Sequence, residues 1–143
     1  MIETKLLLGA VFVQIALTFA LLLWLGRARA VAASRGEVKL RDVALSSDAW
    51  SDRIKQIANA FNNQLELPVL FYIAALLAIV TSRVDYAVVV LAWAFVALRL
   101  VHAYIHVTHN NVLRRFQVYV GGFMILAALW IYLAIGILAT GSA

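Results

Sequence analysis

Four apolar runs separated by short polar stretches set the pattern of this 143-residue chain. Leu6 to Leu25 is interrupted only by Gln14 and Thr18, which lie one turn apart on a helix. A second run ends in Val69 to Val80, a third extends from Tyr86 to His106, and a fourth follows the polar turn His109-Asn110-Asn111. At about 1.5 Å per residue, each run with its flanks is long enough to cross roughly 30 Å of hydrocarbon. The pattern predicts an all-α, integral membrane four-helix bundle, with 1–143 as one membrane domain and spans at about 5–30, 52–81, 86–108 and 112–139. Gln14 and Thr18 are expected to face another helix, most simply through an interhelical hydrogen bond without chemistry.

The polar positions inside the spans carry the next layer of information. Between residues 52 and 66, Asp52, Lys55, Gln56, Asn59, Asn62, Asn63 and Glu66 fall within roughly a third of the circumference of a helix, leaving Ile54, Ile57, Phe61 and Leu65 off that stripe. Pro68 follows at once, and inside a continuous helix it would remove one backbone bond and bend the element. The third span has its own stripe, Arg99, His102, His106 and Asn110, at spacings of three, four and four. Carboxamides and charges at these depths are costly unless they face partners or water, so the two stripes are the first candidates for a site.

Composition agrees with the pattern: 65% of residues are hydrophobic and the mean hydropathy is +0.94. The net charge of +5 sorts by connection and forms no basic face interleaved with aromatics, which argues against nucleic acid. Arg27, Arg29, Arg35, Lys39, Arg41, Arg53 and Lys55 lie in or beside the first connection, and Arg114 and Arg115 beside the third. By the positive-inside rule these two connections are cytoplasmic and both termini lie outside. Lys5 and Ala28-Arg29-Ala30 imitate a secretion signal, but the apolar stretch between them exceeds the roughly 7 to 15 residues of a signal core, so it reads as a span.

With no cysteine there is no disulfide, thiolate nucleophile or Cys-based metal site, and thiol chemistry requires a thiol brought by a substrate. His102, His106 and His109 make a weak metal candidate, because no carboxylate lies near them and Arg99 on the same face would repel a cation. No metal is expected. Arg114 and Arg115 begin the fourth helix, where free N–H groups and a guanidinium together suit an anion; which of them turns inward stays open. The inventory of Arg53, Lys55, Asn59, Asn62, Asn63, Glu66, Arg99, His102 and Arg115 suits a small zwitterionic peptide, its carboxylates on Arg or Lys and its amine on Glu66. Arg99 is expected to pair with Glu66, since an unpaired buried charge is costly.

Asn63-Gln64-Leu65-Glu66, then Pro68 and Phe71-Tyr72, together with Arg99-Leu100-Val101-His102 and Arg115 sixteen residues after Arg99, resemble the membrane-associated eicosanoid and glutathione metabolism family, in a bacterial-type member. The likeness covers most of the chain. It departs where Asn59 replaces an arginine, where His106 replaces a tyrosine, and in the nearness of Pro68 to Glu66. The resemblance implies glutathione as co-substrate, hydrophobic small molecules from the lipid bilayer as second substrates, a homotrimer with sites between subunits, and a bacterial inner-membrane location. It also implies that Arg115 holds the glutathione sulfur as a thiolate, that Asn63 and Glu66 grip the peptide, and that Arg53 and Arg99 support them, with Asn59, Asn62, His102 and Arg114 as further contacts.

The leading expectation is therefore a glutathione-dependent transferase or peroxidase acting on hydrophobic electrophiles. A free thiol has a pKa of about 8.5, and a neighbouring guanidinium favours its ionised form. The alternative is a non-catalytic membrane protein that binds a lipid-like ligand or scaffolds a partner. A small transporter fits less well, because the spans show no paired broken helices or inverted repeat.

Overall fold

The computed structural model describes residues 1–44 and 46–140. Among the described residues there are five α-helices: α1 (Ile2–Ser34), α2 (Asp52–Asn62), α3 (Leu67–Val80), α4 (Tyr86–Val107) and α5 (Val112–Thr140). Taking Asp52–Val80 together, four segments are long and apolar enough to cross a membrane.

Each end has a local cause. α1 stops where Gly36 adopts a left-handed φ of 69°, and the amides of Gly36 and Glu37 bond back to Ala33 O and Ala32 O at 3.0 Å each. At 33 residues it is about 50 Å long, more than the hydrocarbon requires, so its basic end stands clear of the apolar layer. Ser51 caps α2 by accepting from the Ile54 amide at 3.5 Å. Ser82, at φ 56°, makes the tight turn between α3 and α4.

Asp85 then caps α4, accepting from the Val88 amide at 3.0 Å, while Tyr132 Oη of α5 donates to its other oxygen. Partial burial pushes the Asp85 carboxyl up, but the hydrogen bonds from Tyr132 and from amides of the helix start outweigh it and hold the group below the usual carboxylate value.

The second span is not the single bent helix expected from the sequence. α2 ends at Asn62, Asn63–Leu65 form a 3-10 turn, Glu66 is non-helical at φ −101° and ψ −107°, and α3 starts with Pro68 in its first turn. Proline has no N–H to give to a carbonyl one turn back and disfavours helical geometry just before it, so the chain breaks and restarts instead of bending. Proline in the first helical turn costs nothing.

The main core joins α1, α3, α4 and α5 through Leu7, Ala10, Phe71, Ala74, Ala78, Val88, Ala92, Phe95, Leu126, Leu129 and Leu133. Phe71 and Phe95 stack at 4.9 Å, and the alanines let helices approach closely. Large apolar side chains such as Phe12, Phe19, Leu76, Val80, Ile131 and Leu138 stay exposed, as expected of a surface solvated by lipid. At the other end of the bundle the start of α2 meets the end of α4: Gln56 Nε2 donates to His106 O at 2.6 Å, and Arg53 donates to Val107 O. The first and third connections therefore share one end.

Gln14 does face another helix. Fully buried, its Nε2 donates to Gln64 Oε1 at 2.9 Å, and Gln64 Nε2 returns to Ala60 O at 3.1 Å. Thr18 faces α3 as well, sharing a side-chain hydrogen bond with Tyr72, and also bonds within its own helix to Gln14 O at 3.1 Å. Replacing Gln64→Leu should lower stability by about 1 kcal/mol through the orphaned Gln14 amide, and Gln14→Leu in the same chain should recover most of the loss. Denaturation midpoints of the single and double variants in detergent measure both effects.

Candidate functional site

The break in the second span shapes the site. Where α2 gives way to the 3-10 turn, the Asn63 carbonyl is freed from α-helical pairing, and Arg99 Nη2 of α4 donates to it at 2.6 Å. Arg99 is only 1% exposed, and its Nε and Nη1 have no hydrogen-bond partner. A cation at the carbonyl end of a helix also meets the negative pole of its dipole. The expected Arg99–Glu66 pairing is thus corrected: the guanidinium bonds the Asn63 backbone. The turn at Glu66 instead directs its carboxylate toward α5, where Tyr119 Oη donates to Oε2 at 3.4 Å.

On the other side, the start of α5 is fixed by two asparagines. Asn111 Oδ1 accepts from the Arg114 amide at 3.0 Å, which caps the helix. Asn110 turns the chain at a left-handed φ of 45°, and its amide closes back on Ile105 O at 2.8 Å. This orientation turns Arg115 inward and leaves Arg114 exposed. Arg115 Nη1 reaches Asn110 Oδ1 at 2.5 Å and His106 Nε2 at 3.1 Å. Since a guanidinium only donates, His106 accepts at Nε2 and carries its proton on Nδ1.

Between these elements lies an open pocket of about 170 Å³, lined by Asn63, His102, Val112, Arg115, Phe116 and Tyr119. The rings of His102 and His106 are 5.8 Å apart, and Tyr119 lies 5.8 Å from His102. Phe116 and Val112 are exposed and make the pocket's apolar lip. One wall is therefore cationic and hydrogen-bonding, while the rim is a surface that lipid wets.

Of the residues singled out in the sequence, Asn63, His102 and Arg115 line this pocket, Glu66 is tied to it through Tyr119, and Arg99 stands behind it on the Asn63 backbone. Asn59 and Asn62 are exposed and outside the lining; the Asn59 carbonyl accepts from Asn63 Nδ2 at 2.9 Å. Arg53 is engaged elsewhere, over the Trp24 ring at 5.2 Å and on Gln56 Oε1 at 3.2 Å. Tyr119, with Val112 and Phe116 of the apolar lip, was not placed in the site by sequence reasoning, and His106, though on the Arg99 stripe, was not named as a ligand contact. Their signal was present: Tyr119 is one turn after Arg115, and His106 is one turn after His102 on the Arg99 stripe. Among the described residues no three His, Asp or Glu side chains cluster to hold a metal; Arg115 occupies the His106 Nε2 lone pair, and His109 is turned toward Tyr104.

The MAPEG family model matches residues 7–135, nearly the whole of the four spans and every residue of the pocket. The chain belongs to the MAPEG family. No curated protein and no solved structure matches it. In this MAPEG chain the pocket unites the break of the second span with the first turn of the last helix.

Asn110 separates backbone from side-chain effects. Asn110→Gly keeps the left-handed turn and should leave thermal stability within about 0.5 kcal/mol, whereas Asn110→Val should cost about 1 to 3 kcal/mol through strain. Melting in detergent, followed by circular dichroism, distinguishes the two.

Proposed function

We propose that this protein is a glutathione-dependent transferase or peroxidase acting on hydrophobic electrophiles dissolved in the membrane, with Arg115 holding the glutathione thiolate. The supporting observation is the inward Arg115, fixed through Nη1 by Asn110 and His106 at the border between a polar pocket and an apolar rim. Its remaining N–H groups are suitable donors to an anionic sulfur. Asn63 Oδ1 and the Glu66 carboxylate offer acceptors for peptide N–H and ammonium groups. His102 and Tyr119 add neutral hydrogen-bonding groups along the same wall.

The chemistry follows from charge placement. A guanidinium beside the thiol stabilises the ionised form, and one unit of pKa shift corresponds to about 1.4 kcal/mol. The thiol proton passes to water, and conjugation then forms a C–S bond as the thiolate attacks an electrophilic carbon, whose leaving group departs as an anion or whose broken π or ring C–O bond takes up a proton from water; the electrophile arrives over Phe116 and Val112 from the lipid side. Holding both reactants at one border adds an orientation effect. At about 170 Å³ the pocket is smaller than the roughly 300 Å³ at which small-molecule sites begin, and it is open on one side. A homotrimer in which a neighbouring copy closes the open side is part of this reading, as is a cytoplasmic position for the first and third connections.

Glutathione titrated into the detergent-purified protein should produce the ultraviolet band of a thiolate at pH values below the free thiol's range. Arg115→Ala should remove the band and lower conjugation by at least about tenfold while sparing the helical fold, and Arg114→Ala should leave both within about twofold. Glutathione binding without a band, or full turnover by Arg115→Ala, overturns the role of Arg115; absence of both binding and band favours a non-catalytic lipid-binding protein.

A further inference from the structure

One face of α1 runs through two grooves that the glutathione reading does not use. Leu17, Leu21, Trp24, Ala28, Val31 and Arg35 follow at spacings of four, three, four, three and four, which keeps them on a single stripe. Along its lower part, α1 and α4 enclose an apolar groove of about 230 Å³, with Ala20 and Ala103 as small residues among Leu17, Leu21, Leu100 and Val107. Above Trp24, α1 and the start of α2 enclose a second groove of about 270 Å³, floored by Ala28, Ala32 and Ile54 and flanked by Arg27 and Arg35. Trp24 lines both, with Arg53 stacked over its ring at 5.2 Å.

The order of chemistry along the stripe matches the cross-section of a bilayer leaflet. The apolar groove lies within the span, the tryptophan sits at the level where indoles prefer the glycerol region, and the arginines lie on the overhang of a helix about 50 Å long. Basic pockets between membrane helices recognise phosphate headgroups. Glu37 also lines the upper groove, but its contact with Arg35 is long, at 3.8 Å, and both side chains are more than half exposed. Such a pair yields readily to a stronger anion, and Arg27 has no acidic neighbour among the ion pairs of the described residues.

We propose that these grooves form one binding site for an anionic phospholipid, its acyl chain between α1 and α4 beneath Trp24 and its phosphodiester headgroup between Arg27 and Arg35. The site is independent of the Arg115 pocket. It requires both halves, since a headgroup alone has little purchase on exposed arginines and a chain alone has no reason to prefer this groove over the surrounding lipid.

Reconstitution in vesicles of equal parts phosphatidylglycerol and phosphatidylcholine, extraction in mild detergent and native mass spectrometry read the retained lipid. The wild-type protein should keep phosphatidylglycerol in preference. Arg27→Gln with Arg35→Gln should reduce retention on the order of tenfold. Lys39→Gln with Arg41→Gln, which removes equal charge from the same connection outside the grooves, should change it less than about twofold. Ala20→Trp, which fills the exposed apolar groove and leaves every arginine in place, should also abolish retention. Equal loss in the two double variants overturns the site in favour of unspecific surface charge. Full retention by Ala20→Trp, or displacement of the lipid by millimolar inorganic phosphate, overturns the two-part site. Efficient disulfide formation between chains carrying Ala20→Cys, in a protein with no native cysteine, overturns it in favour of a second copy of the chain.

Discussion

The Arg99 guanidinium and the Asn63 carbonyl depend on each other. A fully buried charge among membrane helices needs an acceptor, and a helix that breaks in the same layer needs a donor for its last carbonyls. Neither condition is tolerable alone. Arg99 Nη2 on Asn63 O meets both at 2.6 Å, and the rest of the site follows from that contact. It sets the depth at which the second span stops, and so where Asn63 and Glu66 lie relative to the first turn of α5. Glu66 is released from helical geometry and takes Tyr119 as its partner.

A related economy explains Gln56 of the polar stripe on α2 and its neighbour Arg53. Gln56 and Arg53 donate to carbonyls at the end of α4, groups that in water would be solvated and here would be orphaned. The same stripe that brings Asn63 to the pocket therefore closes a neighbouring helix one turn and more away. On α4 the histidines divide similarly: His102 lines the pocket, whereas His106 is committed to holding Arg115. Polar residues within the bundle are thus distributed between making a site and making the backbone around it admissible.

Much of this was legible in the sequence because a bilayer leaves few options. Apolar length gave the four crossings, and helical periodicity put Arg99, His102 and His106 on one face. The break at residues 63 to 66 was not legible, since a proline near a polar stretch is compatible with either a bend or a restart. The Arg99–Glu66 pairing failed for the same reason: in a continuous helix a carboxylate is the available acceptor, and only the break supplies a carbonyl. Gln64 carried no signal of this kind, because it stands off the polar stripe. It lies on the opposite face, seven and four residues on from Ile57 and Ala60, where a lone carboxamide signals a partner such as Gln14. The choice between Arg114 and Arg115 was set by the left-handed Asn110, a backbone feature that composition does not reveal.

The divided second span also bears on how the chain enters a membrane. α3 is 14 residues, about 21 Å, too short to cross the hydrocarbon by itself, and α2 carries the polar stripe. The second crossing is therefore a poor unit for autonomous insertion. α3 and α4 are joined by a turn of a few residues, and the arginine that satisfies the broken backbone arrives on α4. Partitioning of the second crossing is consequently coupled to that of the third, so the hairpin, more than either helix, is the unit that settles into lipid.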